Sequence, residues 1–136
     1  MLAEIVKNTG QLTATRDRKM VVEIVEAGIR SVLPENIVKS HVAYDSVKDV
    51  VTVNRHSIEL SGKRVFVVGG GKASDGMARS LEDLLGPRRI TAGIVTTKYG
   101  NPDFHTEKIE VEQAGHPVPD QSGARSVRRM LGVWNM

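Results

Sequence analysis

The sequence predicts an α/β protein: an open, mostly parallel, Rossmann-like sheet with helices on both faces, plus a small β-hairpin at residues 49–60. Three observations carry this reading. Residues 64–68, RVFVV, form a continuous apolar run bounded by Gly62 and Gly69, the pattern of a strand covered on both faces of a parallel sheet. A helical pattern at 73–85 follows, and then a second apolar, β-branched run at 90–97. Strand, helix and strand within this length make a βαβ unit with a right-handed crossover. One further strand at 108–113 and one further helix at 120–134 complete the open sheet.

Taken in order, the first element is a helix over about 15–33. Val21, Val25, Gly28 and Val32 recur at helical spacing, with Ile24 and Ile29 beside them, so this stripe is expected to pack. Thr13 or Thr15 caps its start, Asp17 suits the first turn, and Pro34 stops it. A short helical turn fits 35–39. DVVTVN (49–54) and SIEL (57–60) then read as paired strands, with Asn54 supplying turn chemistry, and they are placed at a sheet edge. In the helix at 73–85, Met77, Leu81, Leu84 and Leu85 share a face, and Gly86-Pro87 ends it. Asp120 or Ser122 caps the last helix.

Size and composition narrow the classes. At 136 residues, 40% of them hydrophobic, the chain suits a single domain over 1–136. It has no cysteine, which removes disulfides, thiolate metal sites and cysteine nucleophiles. No apolar run reaches the roughly 20 residues that span a bilayer, and no signal-peptide core opens the chain, so a cytoplasmic protein with no membrane role is expected. Net charge is +3 and aromatic residues are 4%, too little basic clustering and too few stacking platforms for a nucleic-acid binder. Arg88, Arg89, Arg125, Arg128 and Arg129 are read as solvated faces.

Three loops carry candidate chemistry. Gly69-Gly70-Gly71-Lys72 joins a strand to a helix, where free N–H groups and the positive dipole end favour an anion and Lys72 adds a formal charge. Ala73 and Ser74 continue that turn. It is not a P-loop, because Phe66 stands where the first glycine belongs and Ala73 follows the lysine. It is not a dinucleotide fingerprint either, because Ser74 occupies the third glycine position. Anion binding and a plain tight turn both remain open here. Thr96-Thr97-Lys98-Tyr99-Gly100 ends the next strand and opens into the same crevice, where Lys98 suits an anionic substrate or is an ordinary loop residue. In Ala114–Asp120, Pro117 and Pro119 stiffen a loop carrying His116, an acid, base or donor near neutral pH, and Asp120, read first as a cap. His41, His56 and His105 lack metal-ligand spacing.

VVGGGKASDGMA (67–78), IVTTKYG (94–100) and AGHPVPD (114–120), in this order and spacing, resemble the N-terminal region of the type II glycerate kinases, the glycerate 2-kinase family. The opening helix and KSHV (39–42) look similar to archaeal members, so the resemblance covers nearly the whole chain. It implies phosphoryl transfer from ATP to the 2-hydroxyl of D-glycerate with Mg²⁺, in a cleft between two α/β domains. It puts the family's important lysine on Lys72, and it turns Gly70, Gly71, Ala73, Ser74, Lys98, His116 and Asp120 toward substrate or phosphate. No metal ligand is assigned. The family continues with a serine- and glycine-rich phosphate loop, further arginines and a second domain that are not in this sequence. The expectation is therefore an incomplete kinase with little activity alone, self-associating as a homodimer. The alternative is a non-catalytic module for anion or nucleotide binding or for self-association.

Overall fold

The fold is described from a computed structural model, which covers residues 5–101 and 105–135. Pro102, Asp103 and Phe104 lie outside the described residues. Among the described residues six strands form two sheets. β1 (Val42–Asp45), β2 (Val50–Val53) and β3 (His56–Glu59) make an antiparallel meander. β4 (Phe66–Gly70), β5 (Ala92–Lys98) and β6 (Ile109–Ala114) make a parallel sheet in that order. The expected hairpin is present, with Asn54 at φ 54° in its two-residue turn. It sits in a sheet of its own, not at the edge of the parallel one. β1, which the pattern reading missed, gives it a third strand.

The parallel sheet is covered on alternate residues. α4 (Ser74–Leu85) follows β4, and its Ala78 and Leu85 pack with Val95, Ile109 and Val67 on one face. α5 (Gln121–Met130) lies on the other. Its Ser126 hydroxyl meets that of Thr96, and Arg129 bonds Glu112 and, at 2.6 Å, Glu110. Thr96, Glu110 and Glu112 are one residue out of step with Val95, Ile109 and Val111, so the two helices take opposite faces. A 3₁₀ turn, Val133–Asn135, follows α5 and buries Val133 beside β5.

A buried carboxylate fixes β6 in register. Both oxygens of Glu82, on α4, accept backbone N–H groups: Glu107 at 2.5 Å, Lys108 at 2.9 Å and Ile109 at 3.1 Å. Arg89 ties the two sheets together. Its Nε donates to Asp49 at 2.7 Å, its Nη1 to the Lys63 carbonyl at 3.1 Å and its Nη2 to the Leu60 carbonyl. The Tyr44 hydroxyl donates to the same Asp49 at 2.8 Å. The Arg89 hydrogen bond, with help from Tyr44, holds the Asp49 carboxyl below the usual carboxylate range.

Two expectations are corrected. The run at 64–68 is not covered on both faces: the strand starts at Phe66, forms the sheet edge, and leaves Val68 55% exposed. β5 is the strand buried on both sides. After a single helical turn, α1 (Thr9–Leu12), the opening helix forms as α2 (Arg16–Ser31), capped by Thr15 as expected, but its apolar stripe does not pack. Val21, Ile24, Val25 and Val32 are all exposed, Ile24 at 65%. The half-buried side holds Val22, Glu26 and Arg30: Glu26 accepts the Val6 N–H at 3.1 Å and faces Arg30 at 3.8 Å. α2 ends before Pro34, which opens the next helix, α3 (Pro34–His41).

Candidate anion site at the strand ends

The parallel strands point their C-terminal ends into one cavity of about 640 Å³. Open α/β sheets bind ligands in this position. Lys72, Lys98 and His116 line it, one from each strand end, and among the described residues no carboxylate does. Its far wall is apolar, built from Val68, Val127, Met130, Leu131 and Trp134. A second cavity of about 530 Å³ lies against α4 and is lined by Ala73, Ser74, Met77 and Leu81. Gly70, Gly71 and Lys72 line both, so the glycine-rich turn stands between them.

The turn is closed by its own hydrogen bonds. Gly71 sits at φ 134°, a conformation that favours glycine. Its N–H donates to the Thr96 carbonyl at 2.9 Å. Its carbonyl accepts the Ser74 N–H at 3.1 Å and the Ser74 hydroxyl at 2.7 Å, and that hydroxyl also lies 2.6 Å from the Thr96 carbonyl. Ser74 thus uses its donors internally. The N–H groups of Lys72 and Ala73 and the Lys72 ammonium have no partner among the described residues. Lys72 is exposed.

The structure therefore gathers Gly70, Gly71, Lys72, Ala73, Ser74, Lys98 and His116 around one turn and its flanks. Asp120 stands apart. Its carboxylate caps α5 through the Gly123 N–H at 3.0 Å and accepts the Tyr99 hydroxyl at 2.7 Å. The Gly123 bond first, then Tyr99, holds its carboxyl below the usual range. Two of the three arginines of α5 are engaged with neighbours: Arg129 with Glu110 and Glu112, and Arg125 with Ser122 at 3.2 Å.

Sequence reasoning missed Asp75 and Asn101. Asp75, in the first turn of α4, is buried, with Oδ1 accepting the Gly76 N–H at 2.9 Å. Asn101 Nδ2 lies 2.8 Å from Asp75 Oδ2, 2.7 Å from Thr97 Oγ1 and 3.1 Å from the Lys72 carbonyl. A carboxylate in a first helical turn reads from sequence as a solvated dipole partner. The one local signal at Asn101 is the preceding Gly100, at φ 76°.

A profile described as "Domain of unknown function (DUF4147)" matches residues 20–135. The chain belongs to the DUF4147 family. It is 33% identical over 114 residues to the D-glycerate 2-kinase of Thermotoga maritima, matching 84% of this chain and 24% of that protein. It is 32% identical to the glycerate 2-kinase of Pyrococcus horikoshii, over 85% of this chain and 26% of that one. The crystal structure of the glycerate kinase from Thermotoga maritima superposes with a TM-score of 0.62 at 34% identity, covering 83% of this chain and 23% of that one. The chain thus spans about a quarter of the length of these relatives. Among the described residues no helix is long and apolar enough to cross a membrane.

Proposed function

We propose that this DUF4147 chain binds the anionic oxygens of a glycerate 2-kinase reaction, those of the D-glycerate carboxylate or of an ATP phosphate, at the Lys72 turn. The carrying observation is the cavity at the strand ends, where Lys72, Lys98 and His116 converge. The N–H groups of Lys72 and Ala73, without partners among the described residues, add two donors at the start of a 12-residue helix. Phosphoryl transfer depends mostly on positioning and charge neutralisation, and a lysine on a hydrogen-bonded turn supplies both. The similarity to glycerate 2-kinases from two organisms supports the choice of substrate.

We also read β4, β5 and β6 as one half of a doubly wound, Rossmann-like sheet. The support is that α4 and α5 take opposite faces, which is how such sheets reverse direction beside their first strand. Among the described residues no three of His, Cys, Asp or Glu are grouped to hold a metal ion such as Mg²⁺.

Calorimetry with D-glycerate and with Mg-ATP tests the reading. Wild type is expected to bind one of them, and Lys72→Ala to lose about tenfold or more in affinity, the worth of one charge-assisted contact. Equal heats for the two proteins contradict it. A second reading, a self-associating module, is favoured by the outward apolar stripe of α2. Sedimentation showing a dimer that Ile24→Lys abolishes would support it, and a monomer at all concentrations would end it.

A further inference from the structure

Resting on the reading of the Lys72 turn as an anion site, we propose that Asn101 is the positioning residue that aims the Ala73 N–H at the anion. In a trans peptide the carbonyl and the following N–H point in opposite directions, so fixing one end fixes the other. The two unpartnered N–H groups of the turn belong to two consecutive peptides. The first carries the Gly71 carbonyl, held by the N–H and hydroxyl of Ser74. The second carries the Lys72 carbonyl, and Asn101 Nδ2, at 3.1 Å, is its partner. Holding that oxygen turns the Ala73 N–H away from Asn101.

Buried charge keeps the amide there. Asp75 is 2% exposed and has no cationic partner among the described residues. A buried carboxylate is costly unless hydrogen-bonded, and Asn101 supplies the bond to Oδ2 that complements Gly76 N–H on Oδ1. The segment before Asn101 is braced on β6: the Tyr99 N–H donates to the Ala114 carbonyl at 3.1 Å and the Gly100 N–H to Gln113 Oε1 at 3.2 Å. An NH₂ group has two protons, and three acceptors lie within reach. Asn101 therefore shares its two donors among Thr97 Oγ1, Asp75 Oδ2 and the Lys72 carbonyl.

Amide exchange, followed by NMR on the free chain and paired with a titration of inorganic phosphate, tests this. In Asn101→Ala, and in the shape-matched Asn101→Asp, the Gly71 and Ser74 amides are expected to exchange about tenfold faster, while Gly93 in β5 keeps its rate. Phosphate affinity, read from the Ala73 amide shift, is expected to fall about tenfold in both variants. Unchanged exchange at Gly71 and Ser74 overturns the proposal. So does equal acceleration at Gly93, which would make Asn101 a general stabiliser. If the wild-type Ala73 amide ignores phosphate, the anion reading falls, and the exchange rates alone then decide whether Asn101 holds the turn.

Discussion

β4 and β5 lie side by side in one parallel sheet, and both are built mostly of small and β-branched residues. Their environments differ sharply. In β5, Ile94 is 1% and Val95 2% exposed, whereas in β4 Val68 is 55% exposed and borders an open cavity. The same contrast separates α4, whose Ala78 and Leu85 are buried, from α2, whose apolar stripe faces outward. Apolar periodicity reports that a face is made to be covered. It does not report that this stretch of chain does the covering.

Core truncation should expose the contrast most strongly. Ile94→Ala is expected to cost about 3–4 kcal/mol, since it deletes a fully buried side chain, whereas Val68→Ala should cost under about 1 kcal/mol. Urea midpoints compared at constant slope check this, and equal losses would mean that β4 is as covered as β5. Glu82→Ala should follow closely at about 3 kcal/mol, because it leaves three backbone N–H groups at the start of β6 without their acceptor.

Acid sharpens the comparison at the joint between the sheets. The carboxyls of Asp49, Asp45 and Asp120 are all held low in the folded chain by hydrogen bonds, and Arg89 is the largest cause at Asp49. Each folded pKa lies below its unfolded value, so the native state binds fewer protons. Stability is then full above about pH 4 and falls as pH drops through the folded values. A melting series from pH 6 to pH 2 should show this acid limb, flattened in Asp49→Asn, and a limb of unchanged slope would remove Arg89–Asp49 as a contributor.

The smallest effect sets two glycines against each other. A Cβ on Gly28 of α2 would meet nothing within 4 Å, so Gly28→Ala should stabilise by about 0.5–1 kcal/mol through helix propensity. A Cβ on Gly93 of β5 would stand 2.9 Å from the Val67 carbonyl, so the same substitution there should destabilise. Thermal melts of the two variants should therefore shift in opposite directions.

These contrasts also mark what could be read from residues alone. Helices and strands of the parallel unit were legible because α4 has both a helical period and a terminating Gly86, and β5 a β-branched run. β1 was not, since VAYD has only four residues and takes its register from β2. The outward stripe of α2 was misread because period 3.6 is the same whichever way a helix faces. At the site, Lys72, Lys98 and His116 were recoverable because parallel strands carry their C-terminal loops to one end. Asn101 was not, because its role depends on acceptors from three segments that only the fold brings together.

The most direct test of the central claim is a chemical-shift titration of the chain with inorganic phosphate, comparing wild type with Lys72→Met. Saturable shifts at the Lys72 and Ala73 amides in wild type, lost or weakened about tenfold in the variant, are the predicted result. Shifts that gather instead at Arg125 and Arg128, or that persist undiminished without the ammonium, would contradict it.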